Sequence, residues 1–324
     1  MNEILSQYIP DFDGKKTMVN GMEGYHYGDS FLFIIPEEAS GESYYEQMTV
    51  CRFLAEHGYM SIATPMVNRK GELVTKAENT GYVVHFCRLP EESTRSSFAY
   101  ELAVFHQLAG GYPYEPATMS AYGKWKTLWL NKLTTFEQIY QQQYYERPVN
   151  NFQRLFIDTF PYISGCTENA LQYLQESEED TRFDESDQAT ITFQRCRNGI
   201  FSKIIWPRSF VYDHPARDIA EYIRGMLLDG NGTHSDRLRT FFTEYQSVKS
   251  LSLFGWRLVY ARLLLPVHLF DFIETALTRQ NTEEVYKEYK QLLRNQILFE
   301  ERLKHFFSDV GLDFERSGIP ILDW

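Results

Sequence analysis

Asp213, His214, Arg217 and Asp218 stand close together in the run YDHPARDIAEYIR, residues 212–224, and their types could do chemistry. Carboxylates hold divalent cations or accept protons, and a guanidinium neutralises anionic oxygen. The same grouping also serves structure. A turn at Asp213-His214-Pro215 starts a helix, Asp213 sits where a side-chain oxygen could cap its free N–H groups, and Asp218 falls in the first turn, where the helix dipole favours a negative charge. Arg217 can pair with either acid. The spacing favours a structural cluster over a catalytic centre, because ion-pair networks produce such constellations too. No residue of the cluster is assigned as a metal ligand.

The elements that must position these side chains begin at Ile191. A short β-type run leads through a loop to a second apolar run, Ile204, Ile205 and Trp206, which together read as a hairpin. The helix that follows places Ile219, Ile223 and Leu227 on one face, so a hairpin feeds a capped helix.

This layout, and above all its tail, resembles the catalytic centre of the aminoglycoside and choline kinase-like phosphotransferases. Within that superfamily it is more similar to the CotS-like spore-coat branch and its YutH-type endospore coat-associated proteins. The run FPYISGCTENALQYL, from Phe160, and the helix FAYELAVFHQLAGG, with His106 in a Leu-Ala-x-x-His-like place, add to the resemblance. Active relatives end the first strand in His-x-Asp followed by an Asn, and the second in a metal-binding Asp. Aligned back from Asp213, the His-x-Asp place reads Phe193-Gln194-Arg195, and the metal place falls on or near Trp206. Asn198 could stand near the usual Asn. Arginine cannot accept a proton near neutral pH and an indole offers no oxygen ligand, so the resemblance implies a phosphotransferase frame with no catalytic residues in it.

The fold expected is α+β: a bilobal, aminoglycoside phosphotransferase-like protein with a small β-rich lobe over residues 1–88, a hinge at 89–93 and a large, mainly helical lobe over 94–324. In the small lobe, Phe31–Ile35, Ala63–Asn68, Leu73–Lys76 and Tyr82–Cys87 read as strands around a helix from Tyr44 to His57 that stops at Gly58. Gly21 and Gly24 permit turns. A lysine on the strand before that helix would bind phosphates and pair with a helix glutamate, but FLFII carries none. Glu46 holds the glutamate's place with Lys15 or Lys16 as conceivable partners, and is read as solvent-facing.

The large lobe is expected to be helical, with Phe98–Leu108 ended by Gly110-Gly111, then Tyr122–Gln143 bearing a stripe of Trp125, Leu128, Trp129, Leu133, Phe136 and Ile139. Asn151 to about Leu174 follows with Pro161 as a bend, and the acid-rich Glu176–Asp187 reads as a solvated loop. His106 reads as a packed histidine. Further on, Leu251–Leu265 is an apolar helix stopped by Pro266, Asn281-Thr282-Glu283-Glu284 starts a long charged helix, and the tail ends IPILDW.

At 324 residues, 43% hydrophobic and 23% charged, the chain can bury a real core. A formal charge of -12 argues against nucleic acid and anionic membrane as partners. Cys51, Cys87, Cys166 and Cys196 form no CxxC pair and read as buried free thiols. The start MNEILSQYIPDFDGKK lacks a signal peptide's pattern, and no stretch is read as approaching a membrane span.

The resemblance therefore implies a pseudokinase made in the mother-cell cytoplasm and carried into the endospore coat, with other coat proteins as partners and no cofactor. Two alternatives stay open: a small-molecule phosphotransferase with relocated acids that uses Mg·ATP, and a non-turning-over protein that keeps an unidentified small ligand in the interlobe cleft.

Overall fold

The computed structural model describes residues 2–89, 96–148, 150–180, 184–196, 199–229 and 234–312. The hinge residues 90–93, Asn198 and the IPILDW tail lie outside these. Contacts group the chain into two compact units, Met1–Ser120 with Ala189–Asp213, and Ala121–Gln188 with His214–Trp324.

The first unit runs through α1 (Asn2–Leu5), β1 (Lys15–Val19), β2 (Met22–Tyr27), β3 (Ser30–Pro36), α2 (Gly41–Glu56), β4 (Thr64–Pro65), β5 (Val74–Ala77), β6 (Thr80–Cys87) and α3 (Phe98–Ala109). The antiparallel sheet has the order β1-β2-β3-β6-β4, with β5 also on β6. The first two strands escaped the sequence reading. Asn20-Gly21, at φ 51° and 78°, makes the two-residue turn that suits a twisted hairpin, and was the signal for them. Gly24 is required by packing: a Cβ there would lie 2.7 Å from the Phe33 ring and 3.0 Å from the Leu32 carbonyl.

Alternation on β3 separates two cores. Leu32 joins Tyr8, Tyr25 and Val84 on one face, while Phe33 joins Val19, Ala63 and Cys87 on the other. The expected strand Ala63–Asn68 shrinks to Thr64–Pro65. Beyond Pro65 the chain turns, and Asn68 Oδ1 accepts from the amides of Lys70 and Glu72 at 2.9 and 3.0 Å. Helix α2 starts at Ser40, whose hydroxyl accepts from Ser43 N at 3.3 Å, and the chain turns away at Gly58 with φ 100°.

The second unit is helical: α4 (Trp125–Glu146), α5 (Asn151–Asp180), α6 (Ala216–Leu228), α7 (His234–Gln246), α8 (Leu253–Leu264), α9 (Val267–Ala276), α10 (Thr282–Lys304) and α11 (Phe306–Asp309). On α4, Trp125, Trp129, Leu133 and Phe136 are buried, whereas Leu128, placed on the same stripe by its spacing, is 44% exposed. Helix α5 continues through Pro161 and on to Asp180, so the first half of the acidic run is helix. Asn281 caps α10, accepting from Glu284 N at 3.3 Å.

The stretch Leu253–Ala276 is long and apolar enough, by length and composition, to cross a membrane, which corrects the expectation that none comes near. It is 89% buried within the protein and broken at Leu265-Pro266 into α8 and α9. Buried Arg224 crosses from α6 to the break and donates to the carbonyls of Arg262, Leu263 and Leu265, the last two at 3.3 and 3.0 Å. These are the acceptors that a helix end leaves open.

Candidate functional site

Strands β7 (Thr190–Phe193) and β8 (Phe210–Asp213) form the hairpin, with Thr190 opposite Asp213 and Phe193 opposite Phe210. The returning strand is therefore not Ile204–Trp206. Pro207 follows Trp206, has no N–H to give a ladder, and opens a 3-10 turn at Pro207–Ser209. Ile205 instead makes a single parallel bridge to Ile62. The residue that closes the second strand is Asp213.

Phe193 is 2% exposed, stacks on Phe105 of α3 at 5.5 Å, and meets Phe210 edge-on at 5.7 Å. It is a core residue. Arg195 is half-buried, and its Nη1 donates to the carbonyl of Gln194 at 2.8 Å. Trp206 packs on the sheet, against Phe33 and His85. His106 on α3 is wholly buried, and its carbonyl accepts from Thr190 Oγ1 at 3.0 Å.

Glu46 is half-buried and its carboxylate is engaged by the chain. Its carboxylate accepts from the amides of Ala117 and Thr118, at 2.6 and 2.9 Å, and from the Thr118 hydroxyl. Lys16, one of its conceivable partners, pairs with Glu23 at 2.8 Å. The strap that Glu46 holds reaches the hairpin, since Tyr212 N donates to Met119 O at 3.0 Å and Ser120 bridges to Tyr212. The glutamate that the resemblance pairs with a phosphate-binding lysine is spent here on loop geometry.

Asp213, His214, Arg217 and Asp218 are all buried, at 0, 2, 8 and 0% exposure, and none lacks a partner. The first closes β8 in one unit; the other three open α6 in the second. Next to Asp213, the expected cap, the amide of Ala216 donates to Nδ1 of His214 at 3.0 Å. That bond leaves the proton on Nε2, which donates to Oδ1 of Asp187 at 3.2 Å.

Asp187 was missed because it ends an acid-rich run read as solvated. It is 1% exposed and accepts from His214, from the hydroxyl of Ser252 and, at Oδ2, from the amide of Asp184 at 2.8 Å. Burial alone would raise its pKa, but these donors outweigh it and hold the carboxyl below its usual range. Ser252 in turn caps α8, its oxygen accepting from Gly255 N at 2.8 Å. A serine, a histidine and an aspartate thus meet with the acid in the middle. Nucleophilic catalysis needs the histidine between the other two, so this order supports a joint, not a reaction.

Among the described residues no group of three or more His, Cys, Asp or Glu side chains could hold a metal ion. The four cysteines are buried and form no disulfide, and burial pushes Cys87 up to about 12 and Cys166 up to about 11, far from reactive thiolates.

A family described as "Spore coat putative kinase YutH" matches residues 3–309. The endospore coat-associated protein YutH of Bacillus subtilis is 31% identical over 291 residues, 87% of this chain and 81% of that protein. Among solved structures, an aminoglycoside phosphotransferase from Alicyclobacillus acidocaldarius superposes with TM-score 0.64 at 12% identity, covering 96% of each chain. Spectinomycin phosphotransferase APH(9)-Ia gives 0.54 at 12% identity over 92% of this chain and 97% of that one. A choline/ethanolamine kinase family protein from Mesorhizobium loti gives 0.53 at 12% over 95% and 98%. At such identities the likeness establishes the fold, which is α+β and aminoglycoside phosphotransferase-like, and nothing of the activity.

Proposed function

The chain belongs to the spore coat putative kinase YutH family, and from that premise we propose that it is a non-catalytic kinase-like protein of the bacterial endospore coat, acting by binding other coat proteins. The observation that carries this reading is the end of β7. Where phosphotransfer needs a proton acceptor beside the acceptor hydroxyl, the chain offers a phenyl ring sealed between Phe105 and Phe210 and then an arginine. Strand β3 carries no lysine for phosphates, and Glu46 is committed to the strap. The protein is made in the mother cell and reaches the coat from there. It needs no cofactor.

One observation favours a second reading, a phosphotransferase with Mg·ATP as co-substrate. Asp213 closes the second strand of the hairpin, where active relatives keep a metal-binding carboxylate. Calorimetry and thermal shift with Mg·ATP separate the two. The non-catalytic reading expects no saturable binding by the unmodified protein. Binding that requires magnesium and disappears in Asp213→Asn would establish the enzyme instead. A fluorescent fusion followed through sporulation tests the location: a shell around the forespore is expected, and diffuse signal in growing cells would refute it.

A further inference from the structure

On the side of the sheet that carries Leu32, away from Phe33, α1 and the turn after it meet the β5–β6 hairpin. They leave a cavity of about 460 Å³ between them, the size of a small-molecule site. Both sides of it are pinned. Gln7 O accepts from Arg69 N at 2.9 Å, and the Tyr8 hydroxyl accepts from that of Thr75 at 2.9 Å. Ile4 is 5% exposed and packs with Ala77 and Tyr82 in the Leu32 core, so these three give the cavity an apolar side. Glu3, Lys76 and Glu78 give it a charged one, and the Gln7 amide adds a donor and an acceptor. Among the described residues none of the three charges makes an ion pair or a side-chain hydrogen bond.

A second observation comes from the turn. Strands β5 and β6 are joined through Glu78 and Asn79, at φ 54° and 85°, with Ala77 opposite Thr80. Asparagine adopts that left-handed region readily, whereas glutamate does not, and asparagine or glycine would serve the first position better. Strain of this kind is retained where the side chain has a task, and here the carboxylate borders the cavity.

The charges name the ligand class. Two carboxylates and one ammonium complement two cations and one carboxylate, and the apolar side calls for a hydrocarbon stem. A diamine would set Lys76 against like charge. A neutral amino acid would leave one carboxylate unanswered, and an acidic one would add negative charge to a lining already net negative. We propose that this cavity binds a free α-amino acid with a cationic side chain, of the lysine or arginine kind. Glu3 and Glu78 take its two cationic groups, Lys76 takes its carboxylate, and its methylenes lie against Ile4, Ala77 and Tyr82. The inference goes beyond the non-catalytic reading and does not rest on it, since the β7–β8 hairpin supplies none of these residues.

The test is calorimetric titration of the full chain with L-lysine and L-arginine, and with two compounds that each lack one charge of lysine: cadaverine, without the carboxylate, and norleucine, without the side-chain ammonium. Saturable binding of a basic amino acid is expected, with cadaverine and norleucine weaker by about tenfold or more. Lys76→Met and Glu78→Asn should each weaken lysine by about tenfold, the worth of one charge-assisted hydrogen bond. Both positions are exposed and asparagine suits the turn, so both variants should melt with the parent protein. Lys76→Glu should reverse the preference, binding cadaverine more tightly than lysine. Absence of saturable binding of both lysine and arginine at millimolar concentration overturns the proposal. So does norleucine binding as tightly as lysine, or lysine binding that Lys76→Met, Glu78→Asn and Glu3→Gln all leave unchanged.

Discussion

Two regions of this protein invert one another. The hairpin of β7 and β8 ends its first strand in a buried phenyl ring, Phe193, followed two residues on by Arg195, and on the proposed reading neither can take part in acid-base chemistry. The joint around Asp187 has the opposite character. Serine, histidine and aspartate are all present, buried and hydrogen-bonded, yet they are ordered so that the acid gathers two side-chain donors and pins the starts of α6 and α8. Function at a site depends on which atom bonds to which, and neither residue type nor fold supplies that alone.

The comparison is broken most forcefully at Asp187. Asp187→Ala leaves the His214 N–H, the Ser252 hydroxyl and the Asp184 amide without their acceptor, and should cost about 3–5 kcal/mol in chemical denaturation. Asp187→Asn, which keeps an oxygen, should cost less. An alanine variant as stable as the parent would show that the joint is not a joint.

Protonation sharpens the contrast next. Burial, then the Arg208 charge despite a backbone hydrogen bond, pulls His85 from 6.5 to about 4. Burial, then the Arg224 charge, takes His268 to about 3. The unfolded chain takes up protons below about 6.5 while the folded one does not, so stability is full above that pH and falls as pH drops toward 4. Each histidine contributes a slope of up to about 1.4 kcal/mol per pH unit. Melting temperatures measured between pH 7 and 4 should show the fall, and His85→Phe should remove its share.

A smaller effect is expected at Glu46. Glu46→Ala should cost about 1–2 kcal/mol, since the carboxylate is only part-buried, and amide exchange should quicken at Ala117 and Thr118. Exchange unchanged there would mean the strap holds itself. Least of all should happen with Arg195→Asp, within about 0.5 kcal/mol in stability. Restoring a carboxylate at that place should not produce Mg·ATP turnover in a phosphate-release assay, because β3 still lacks its lysine.

Local rules carried the sequence reading a long way. Helix starts at Asn281, the stop at Gly58 and the break at Pro266 were legible because caps, glycine and proline act within a few residues of themselves. The β1–β2 hairpin was equally legible in Asn20-Gly21, where the glycine had been read only as permitting a turn. What failed was register. Ile204–Trp206 has the composition of a strand, but whether it pairs depends on a partner far away in sequence, and Phe210–Asp213 took that place.

The sequence by itself determined the helical second unit and the antiparallel sheet around α2, because these follow from side-chain type and short-range periodicity. Only the tertiary structure decided that Asp187 is a buried hub, that Glu46 holds a strap, and that Trp206 covers the sheet while Asp213 ends the strand. Those outcomes depend on which distant surfaces exclude water from a polar or aromatic group, and burial is a property of the assembled fold, not of neighbours along the chain.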